Sequence, residues 1–222
     1  MQQKIDGLLV PKLRFPEFEG TWKRSRLDRL IDLQSGYAFQ SEYFVNEGKK
    51  LLTPKNFTKN GYANFNEENT KYTVEDFDPK YICKEGDLLL LLTDLTPSCE
   101  LLGRPLLLTK DDGNVLLNQR IARILPTGSI KTSFLLYFFS TESFHKRITD
   151  TATGSTVRHS SSKTILSTEI YFPLECEQQK IADCLTSIDE AIAAQSQAIE
   201  LLKLHKKGLM QQLFPSVEEV NG

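Results

Sequence analysis

From residue 175 to residue 214 the chain reads ECEQQKIADC LTSIDEAIAA QSQAIELLKL HKKGLMQQLF. Apolar residues return in this stretch at alternating steps of three and four, which is the heptad spacing of a coiled-coil helix. The stretch contains no proline and a single glycine, Gly208, and Pro215 ends it. We therefore predict one long helix over residues 174–214, followed by a tail over 215–222. The predicted seam of this helix consists of Leu185, Ile188, Ile192, Gln195, Ile199, Leu202, Lys206, Leu209 and Leu213.

The length of this helix predicts how it is used. At 1.5 Å per residue it would measure on the order of 55 Å, which is too long to lie wholly on a domain of the remaining size. We expect it to project and its seam to pack against another helix. Gln195 and Lys206 would lower the stability of that pairing and set its register and the number of helices. The alternative is a helix that packs back on its own domain.

Residues 1–173 have the pattern of a separate globular domain with short elements. A five-leucine block over 88–92 predicts a buried strand, and 105–108 and 120–125 predict two more, with a turn at 112–114. Residues 165–174 alternate like a strand that Pro173 stops. Helices are predicted over 26–33 and 132–148. The predicted fold class is α+β, with a twisted mixed sheet, flanking helices and one long C-terminal coiled-coil helix.

Composition limits the classes of protein to which the chain can belong. Apolar residues make up 40% of the chain and charged residues 25%, as in an ordinary globular protein. No apolar run is long enough to span a membrane, and the N-terminus lacks the layout of a signal peptide, so we expect a cytoplasmic protein. The four cysteines form no C-x-x-C pair, which predicts idle thiols and no structural zinc site. The net charge of −2 hides a basic stretch at 143–163 and an acidic one at 67–78.

Motifs for catalysis or cofactor binding are missing from the sequence. It contains neither phosphate-binding loop, G-x-x-x-x-G-K-[ST] or G-x-G-x-x-G, and no methyltransferase box. Glu47 and Lys49 match half of a nuclease motif without its upstream Pro-Asp. We predict a non-catalytic chain that holds no metal and no cofactor of its own.

Four polar segments carry side chains suited to base edges. They are 34–41, 54–60, 118–120 and 154–163. Asn and Gln can pair with adenine, Arg and Lys with guanine, and Ser or Thr with either. Polar loops are also common on any protein surface, so each segment alone is weak support for DNA binding.

Together with the helix, these segments resemble the specificity (S) subunits of type I restriction–modification enzymes. The matching segments are 11–18 with Trp22, 33–41 (S-G-x-x-F-x-S), 85–89 (G-D-[IL]-L), 117–120 (N-Q-[RH]), 154–156 with 170–174 (G-[ST]-T and a closing strand), and 177–182 (E-Q-x-x-I-A). The helix motif is the most specific of them. The resemblance covers nearly the whole chain.

The resemblance implies that residues 1–173 are a DNA target recognition domain. Its expected DNA-binding residues are Tyr37, Gln40, Lys55, Asn56, Ser155, Thr156, Arg158, His159 and Lys163. Tyr37 could equally pack in the core. The family's usual subunit has two recognition domains and two conserved helices, whereas this chain has one of each and no internal repeat. It therefore resembles half a subunit, and the native look of both ends favours a natural half over a truncated one.

The implied partners follow from this half-size form. Two copies paired as an antiparallel homodimer would read a two-part target in double-stranded DNA and would dock methyltransferase subunits and, through them, a restriction subunit. S-adenosylmethionine, ATP and magnesium would belong to those partners. The alternative function is a protein-interaction adaptor that oligomerises through its helix, and a third reading is a nuclease that uses Glu47 and Lys49.

Overall fold

A computed structural model describes residues 3–5, 8–94, 96, 98–154 and 157–214. The chain separates into two compact units, Met1–Gln179 and Lys180–Gly222. The first unit holds the sheets and three short helices, and the second holds most of one long helix. The predicted fold class, α+β with a long C-terminal helix, is confirmed. The predicted tail, 215–222, lies outside the described residues.

Most of the strands are short, as the turn-rich sequence predicts. They are β1 (Gln3–Ile5), β2 (Leu8–Val10), β3 (Lys23–Arg26), β4 (Ile31–Ser35), β5 (Phe44–Val45), β6 (Lys49–Leu52), β7 (Lys71–Thr73), β8 (Ile82–Cys83), β9 (Leu88–Leu91), β10 (Thr93–Asp94), β11 (Pro105–Leu107), β12 (Val115–Leu117), β13 (Ile121–Pro126), β14 (Arg158–His159) and β15 (Glu169–Phe172). The helices are α1 (Thr132–Ser140), α2 (Glu142–Asp150), α3 (Ser162–Leu166) and α4 (Glu175–Leu213).

Two larger sheets form the body of the first unit. One is antiparallel with the strand order β11-β9-β13-β4. The other is mixed, with the order β5-β7-β6-β12-β8, and of these pairs only β6 with β12 is parallel. Three two-stranded sheets pair β1 with β2, β10 with β14, and β3 with β15.

Residues of both sheets form a hydrophobic core cluster. Leu88–Leu91 is entirely buried, as the leucine block predicts. Each fully buried leucine stabilises the fold by roughly 2 kcal/mol relative to an exposed one. Burial also raises the pKa of the Cys83 thiol to about 12, so this thiol stays protonated at neutral pH. The core cluster consists of Leu52, Phe57, Cys83, Leu89, Leu91, Leu106, Leu108, Val115, Leu117 and Ile121.

Three of the predicted elements take another form in the structure. The helix expected over 26–33 is a single 3-10 turn, Leu27–Arg29, because the following residues pair as β4 with β13. The helix over 132–148 is divided at Thr141, whose backbone is extended and whose hydroxyl caps α2 by accepting from the backbone N–H of Phe144. The strand over 165–174 begins as α3, and only Glu169–Phe172 is extended.

A partly buried ion pair binds the first turn of α4 to the N-terminal segment. The carboxylate of Glu177 accepts from Arg14 Nε at 2.8 Å and from Arg14 Nη2 at 2.7 Å, and also from Trp22 Nε1 at 3.2 Å. The side chain of Glu177 is 3% exposed and that of Arg14 is 16% exposed. Arg14 also donates to the carbonyl groups of Glu19 and Gly20. This contact joins two of the segments that carry the family resemblance: Arg14 lies in segment 11–18 and Glu177 in the E-Q-x-x-I-A segment.

The neighbouring Gln178 has a comparable structural role. Its fully buried amide donates from Nε2 to the carbonyl groups of Ser129 and Pro173, both at 3.0 Å, and its Oε1 accepts from Lys131 N at 2.9 Å. Lys131 is the residue that precedes α1. The amide therefore satisfies backbone groups of two other segments, which accounts for the Glu-Gln pair at the start of the helix.

The long helix has the predicted extent and an exposed apolar stripe. It contains 39 residues, and within it Ile188, Ile192 and Ile199 are 51%, 59% and 52% exposed. Leu202, Leu209 and Leu213 of the predicted seam are exposed as well. Gln195 and Lys206 are also exposed, and Leu185 is half-buried. None of the described helices, α4 included, is both long and apolar enough to cross a membrane.

Candidate nucleic-acid interface

The strand register brings three of the polar segments toward one end of the antiparallel sheet. Ser35, the last residue of β4, lies opposite Ala122, and Leu91, the last residue of β9, lies opposite Ile121 at the start of β13. The segment 36–41 leaves β4 at this end, the turn 118–120 enters β13 there, and β10 follows β9 there. Because β10 pairs with β14, residues 158 and 159 are held at the same end.

The mixed sheet adds the fourth segment. Leu52, at the end of β6, lies beside Leu117, at the end of the parallel strand β12. Both strands therefore stop where the turn 118–120 begins. We call the four segments, 36–41, 53–56, 118–120 and the β10–β14 pair, the loop edge. Sequence separation between them reaches more than a hundred residues, so only the strand pairing brings them together.

A close backbone approach joins two segments of the loop edge. Gly36 N donates to the carbonyl of Ile121 at 3.1 Å, and Tyr37 N donates to that of Leu117 at 2.9 Å. A Cβ atom at Gly36 would overlap the carbonyl group of Asn118. The glycine of the S-G-x-x-F-x-S segment is therefore required by space and not by a special backbone angle.

We expect Gly36→Ala to destabilise the first unit by about 1–3 kcal/mol, because the added methyl group must displace backbone from well-packed strands. Chemical denaturation followed by circular dichroism would measure the loss. Gly128→Ala provides a contrast and is expected to cost little, since its φ is not positive and a Cβ there would meet Leu30 Cδ2 at 3.9 Å, an ordinary van der Waals contact. A Gly36→Ala protein as stable as wild type would contradict the close approach.

Tyr37 packs within the protein. Its ring makes contacts with those of Phe39 and Tyr81, at centroid distances of 4.9 and 5.4 Å. Its hydroxyl donates to Glu75 Oε1 at 3.1 Å, and this hydrogen bond, with the charge of the carboxylate, raises the pKa of Tyr37. Of the two roles open to Tyr37, stacking on DNA or packing, the contacts favour packing.

The other residues of the first two segments differ in accessibility. The side chains of Gln40 and Lys55 are exposed. Asn56 is fully buried: its Oδ1 accepts from the backbone N and the hydroxyl of Thr53, both at 2.8 Å, and its Nδ2 donates to Asn69 Oδ1 at 3.2 Å. The predicted contact of Asn56 with DNA is corrected here, because its amide is used to close the turn Pro54–Asn56.

The basic segment lies partly at the loop edge. His159 is exposed, and its Nδ1 lies 2.8 Å from the hydroxyl of Thr93. Arg158 is half-buried, with Nη2 donating to the carbonyl of Thr149 at 3.1 Å and a buried Nε that hydrogen-bonds to none of the described residues. Lys163 is exposed in α3, which packs against β4 and the turn Leu27–Arg29 and so leaves the loop edge. Ser155 and Thr156 lie outside the described residues.

Residues beyond the predicted set also lie at this edge. Gln119 is exposed and Arg120 is half-buried in the turn between β12 and β13, while Asn118 Oδ1 accepts from Gln119 N within the turn. The N-Q-[RH] segment of the sequence indicates Gln119 and Arg120, but only the fold shows that they lie in the turn between two strands. Glu75 belongs to the acidic stretch 67–78, and its closeness to segment 36–41 depends on long-range pairing.

The charges at this edge are unequally exposed. The carboxylate of Asp94 is buried and accepts from the backbone N and the hydroxyl of Thr96 and from the backbone N of Leu101, at 2.7–2.9 Å. Glu75 is also buried. Within the four segments the accessible charged side chains are those of Lys55, Arg120 and Arg158, while Asp94 is buried, so the segments themselves favour an anionic partner.

The structure also locates the residues of the nuclease alternative. Glu47 and Lys49 are both exposed, on either side of Gly48 before and within β6. In the part of the chain that the structure describes, no group of three or more His, Cys, Asp or Glu side chains is arranged to hold a metal ion.

Comparison with known proteins matches most of the chain. Residues 19–204 match the family model described as "Type I restriction modification DNA specificity domain". The chain is 28% identical over 215 residues to the type I restriction enzyme MjaVIII specificity subunit of Methanocaldococcus jannaschii, covering 91% of this chain and 48% of the relative. It is also 28% identical over 191 residues to the EcoAI specificity subunit of Escherichia coli, covering 84% of this chain and 31% of the relative.

Solved structures have the same fold. The type I restriction-modification S subunit from M. genitalium aligns with a TM-score of 0.64 at 22% identity, over 92% of this chain and 48% of that one. The HsdS subunit from Thermoanaerobacter tengcongensis aligns with a TM-score of 0.56 at 18% identity, over 85% of this chain and 42% of that one. The chain thus spans about half the length, or less, of these proteins.

Proposed function

The chain belongs to the family of type I restriction–modification DNA specificity domains, and on this premise we propose that it is a non-catalytic module that reads half of a two-part DNA target. The observation that carries the proposal is the loop edge. Its four segments present exposed amide, lysine and imidazole side chains at one end of two sheets, while the nearby carboxylates of Glu75 and Asp94 are buried. An edge of this composition suits the major groove of double-stranded DNA.

The proposed mechanism divides the contacts into two kinds. Lys55 and backbone groups bind phosphates and set the position of the domain on DNA, with Lys163 as a more distant phosphate contact. Gln40, Gln119, Arg120, Arg158 and His159 read base edges, together with the predicted contacts Ser155 and Thr156. Arginine suits guanine and the amides suit adenine.

The proposed assembly uses the exposed stripe of α4. Two copies pair through the seam as an antiparallel homodimer, and two-fold symmetry then requires a palindromic two-part target. Leu201, Leu204 and Met210 are exposed outside the seam, and pairing of two helices through the seam would leave them open for a further partner. We assign this surface to methyltransferase subunits, which in turn recruit a restriction subunit. S-adenosylmethionine, ATP and magnesium belong to those subunits, and the complex acts on DNA in the cytoplasm.

A selection from random DNA tests this function. Duplexes with a randomised centre are incubated with the full chain, alone and with a methyltransferase subunit, and bound duplexes are recovered by gel shift and sequenced. We expect a two-part palindromic consensus. Binding without any enriched sequence would reject the reading function, and the absence of DNA binding with both preparations would favour the adaptor alternative.

Arg158 provides a residue-level prediction. We expect Arg158→Ala to weaken binding to the selected duplex roughly tenfold or more, with little effect on a shuffled duplex, because a base contact discriminates between sequences by about 1–3 kcal/mol. Fluorescence anisotropy titrations at several salt concentrations would measure both affinities. Arg29→Ala is the matched control, since Arg29 is exposed in the turn before β4, at the end of that strand away from the loop edge. An equal loss on both duplexes, with a salt slope lower by about one, would make Arg158 a phosphate contact.

A further inference from the structure

Glu75 holds a buried carboxylate beneath one segment of the loop edge. The residue is 9% exposed, and no salt bridge of the described residues includes it. Its two oxygens each accept from segment 36–41: Oε1 from the hydroxyl of Tyr37 at 3.1 Å and Oε2 from the backbone N of Gln40 at 2.7 Å. A buried carboxylate is costly to desolvate, and here these two donors offset the cost.

The carboxylate is itself held in place by the mixed sheet. Glu75 N donates to the hydroxyl of Thr73 at 3.1 Å, and Thr73 is fully buried at the end of β7. The Thr73 hydroxyl donates to the carbonyl of Tyr43 at 3.3 Å. Because Tyr43 follows segment 36–41 in the chain, residues 73–75 contact both that segment and the turn Ser41–Tyr43 after it.

Aromatic packing restrains the middle of the segment. The ring of Phe39 is buried, and its centroid lies 4.9 Å from that of Tyr37 and 6.4 Å from that of Phe77. Phe77 lies two residues after Glu75. Residues 73–77 therefore hold segment 36–41 through two hydrogen bonds to Glu75, at Tyr37 and Gln40, and through the contact of Phe77 with Phe39. The side chain of Gln40 remains exposed.

We propose that Glu75 is a positioning residue, which fixes segment 36–41 in one conformation and so determines how well the loop edge discriminates between DNA sequences. This inference rests on the proposed function. A segment that is ordered before binding loses less conformational entropy when it meets the cognate site. Nonspecific phosphate binding does not require one loop conformation, so loss of Glu75 lowers the ratio of cognate to nonspecific affinity.

The test compares four variants of the full chain. Glu75→Ala removes both acceptors, Glu75→Gln keeps one acceptor and removes the charge, and Tyr37→Phe removes one donor only. Glu42→Gln is the control. Glu42 is exposed in the adjacent turn Ser41–Tyr43, so this substitution also removes one negative charge near the loop edge. The probes are the duplex selected by wild type and a shuffled duplex of the same composition.

Two readouts separate positioning from charge and from general stability. The first is amide hydrogen exchange at Gln40 without DNA, which we expect to accelerate about tenfold or more in Glu75→Ala and less in Glu75→Gln, with core strand β9 unchanged. The second is the ratio of cognate to shuffled affinity, which we expect to fall about fivefold to tenfold in Glu75→Ala and less in Glu75→Gln and Tyr37→Phe. Glu42→Gln is expected to leave the ratio within about twofold of wild type.

Each outcome bears on one proposal. Unchanged exchange at Gln40 in Glu75→Ala, or an unchanged affinity ratio, would overturn the role of Glu75. An equal fall in the ratio for Glu42→Gln would also overturn it, since charge alone would then account for the effect. A wild-type chain that selects no sequence would reject the proposed function, while the exchange measurement would still decide whether Glu75 orders the segment.

Discussion

Replacing Arg14 with Leu is expected to lower the free energy of unfolding of the first unit by about 3–5 kcal/mol, the usual cost of leaving one charge of a buried ion pair without its partner. The unpaired group would be the carboxylate of Glu177, whose side chain is 3% exposed and which, among the described residues, would keep the hydrogen bond from Trp22 alone. For a domain of this size the midpoint of thermal unfolding should fall by roughly 6–20 °C. Trp22 is the only tryptophan of the chain, so its fluorescence reports on this site during denaturation.

A matched pair of controls defines this prediction. Arg24 pairs with Glu169 at 2.6 Å, but both side chains are at least half exposed, so Arg24→Leu should cost no more than about 1 kcal/mol. The double variant Arg14→Leu, Glu177→Leu should recover part of the stability, because a buried pair replaced by apolar groups is often neutral. Equal losses for Arg14→Leu and Arg24→Leu would show that the buried pair has no special role.

Replacing Ile188, Ile192 and Ile199 with Asp is expected to convert a dimer into a monomer, halving the mass measured by light scattering. The three side chains are more than half exposed and lie in the seam of α4, so a partner helix would have to bury three new carboxylates. Each would cost several kcal/mol when removed from water without a partner. Their combined cost is expected to exceed the free energy of association of two helices of this length.

The control carries the same charge on another face of the helix. Ala193, Ala194 and Gln197 are exposed and lie outside the seam, so Asp at these three positions lowers helix propensity and adds charge without entering the predicted contact. Circular dichroism should show the helix retained in both triple variants. A wild-type chain that is already monomeric, or an Ile-to-Asp variant of unchanged mass, would contradict the seam as the dimer contact.

Elements with a local signal were predictable from the sequence. The helix over 175–213 was predictable because its apolar residues recur at helical spacing. The buried strand Leu88–Leu91 was predictable because a short, uninterrupted run of leucines between polar residues is typical of a strand buried on both faces. The predicted helix over 26–33 was wrong because its apolar residues fit either period. Its later residues became β4 by pairing with β13, which lies about ninety residues further along the chain.

The candidate site was predictable only as a set of separate loops. Exposed polar residues such as Gln40 and His159 belong to segments identified from their composition. Asn56 has the same chemistry, but its side chain turns inward to close its own turn, and composition cannot distinguish the two cases. Glu75 belongs to the acidic stretch 67–78. Nothing in the neighbouring sequence indicates that its carboxylate accepts hydrogen bonds from Tyr37 and Gln40.

The sequence by itself determined the long helix with its apolar stripe, the buried leucine strand and the kinds of side chain that the loops carry. Those properties depend on neighbours within a few residues, where spacing and composition control the free energy. Only the tertiary structure decided that four loops meet at one edge, that Arg14 reaches Glu177, and that Glu75 lies beneath segment 36–41. These contacts join residues that are tens to more than a hundred positions apart, and strand register, which sets them, is chosen by the packing of the whole core.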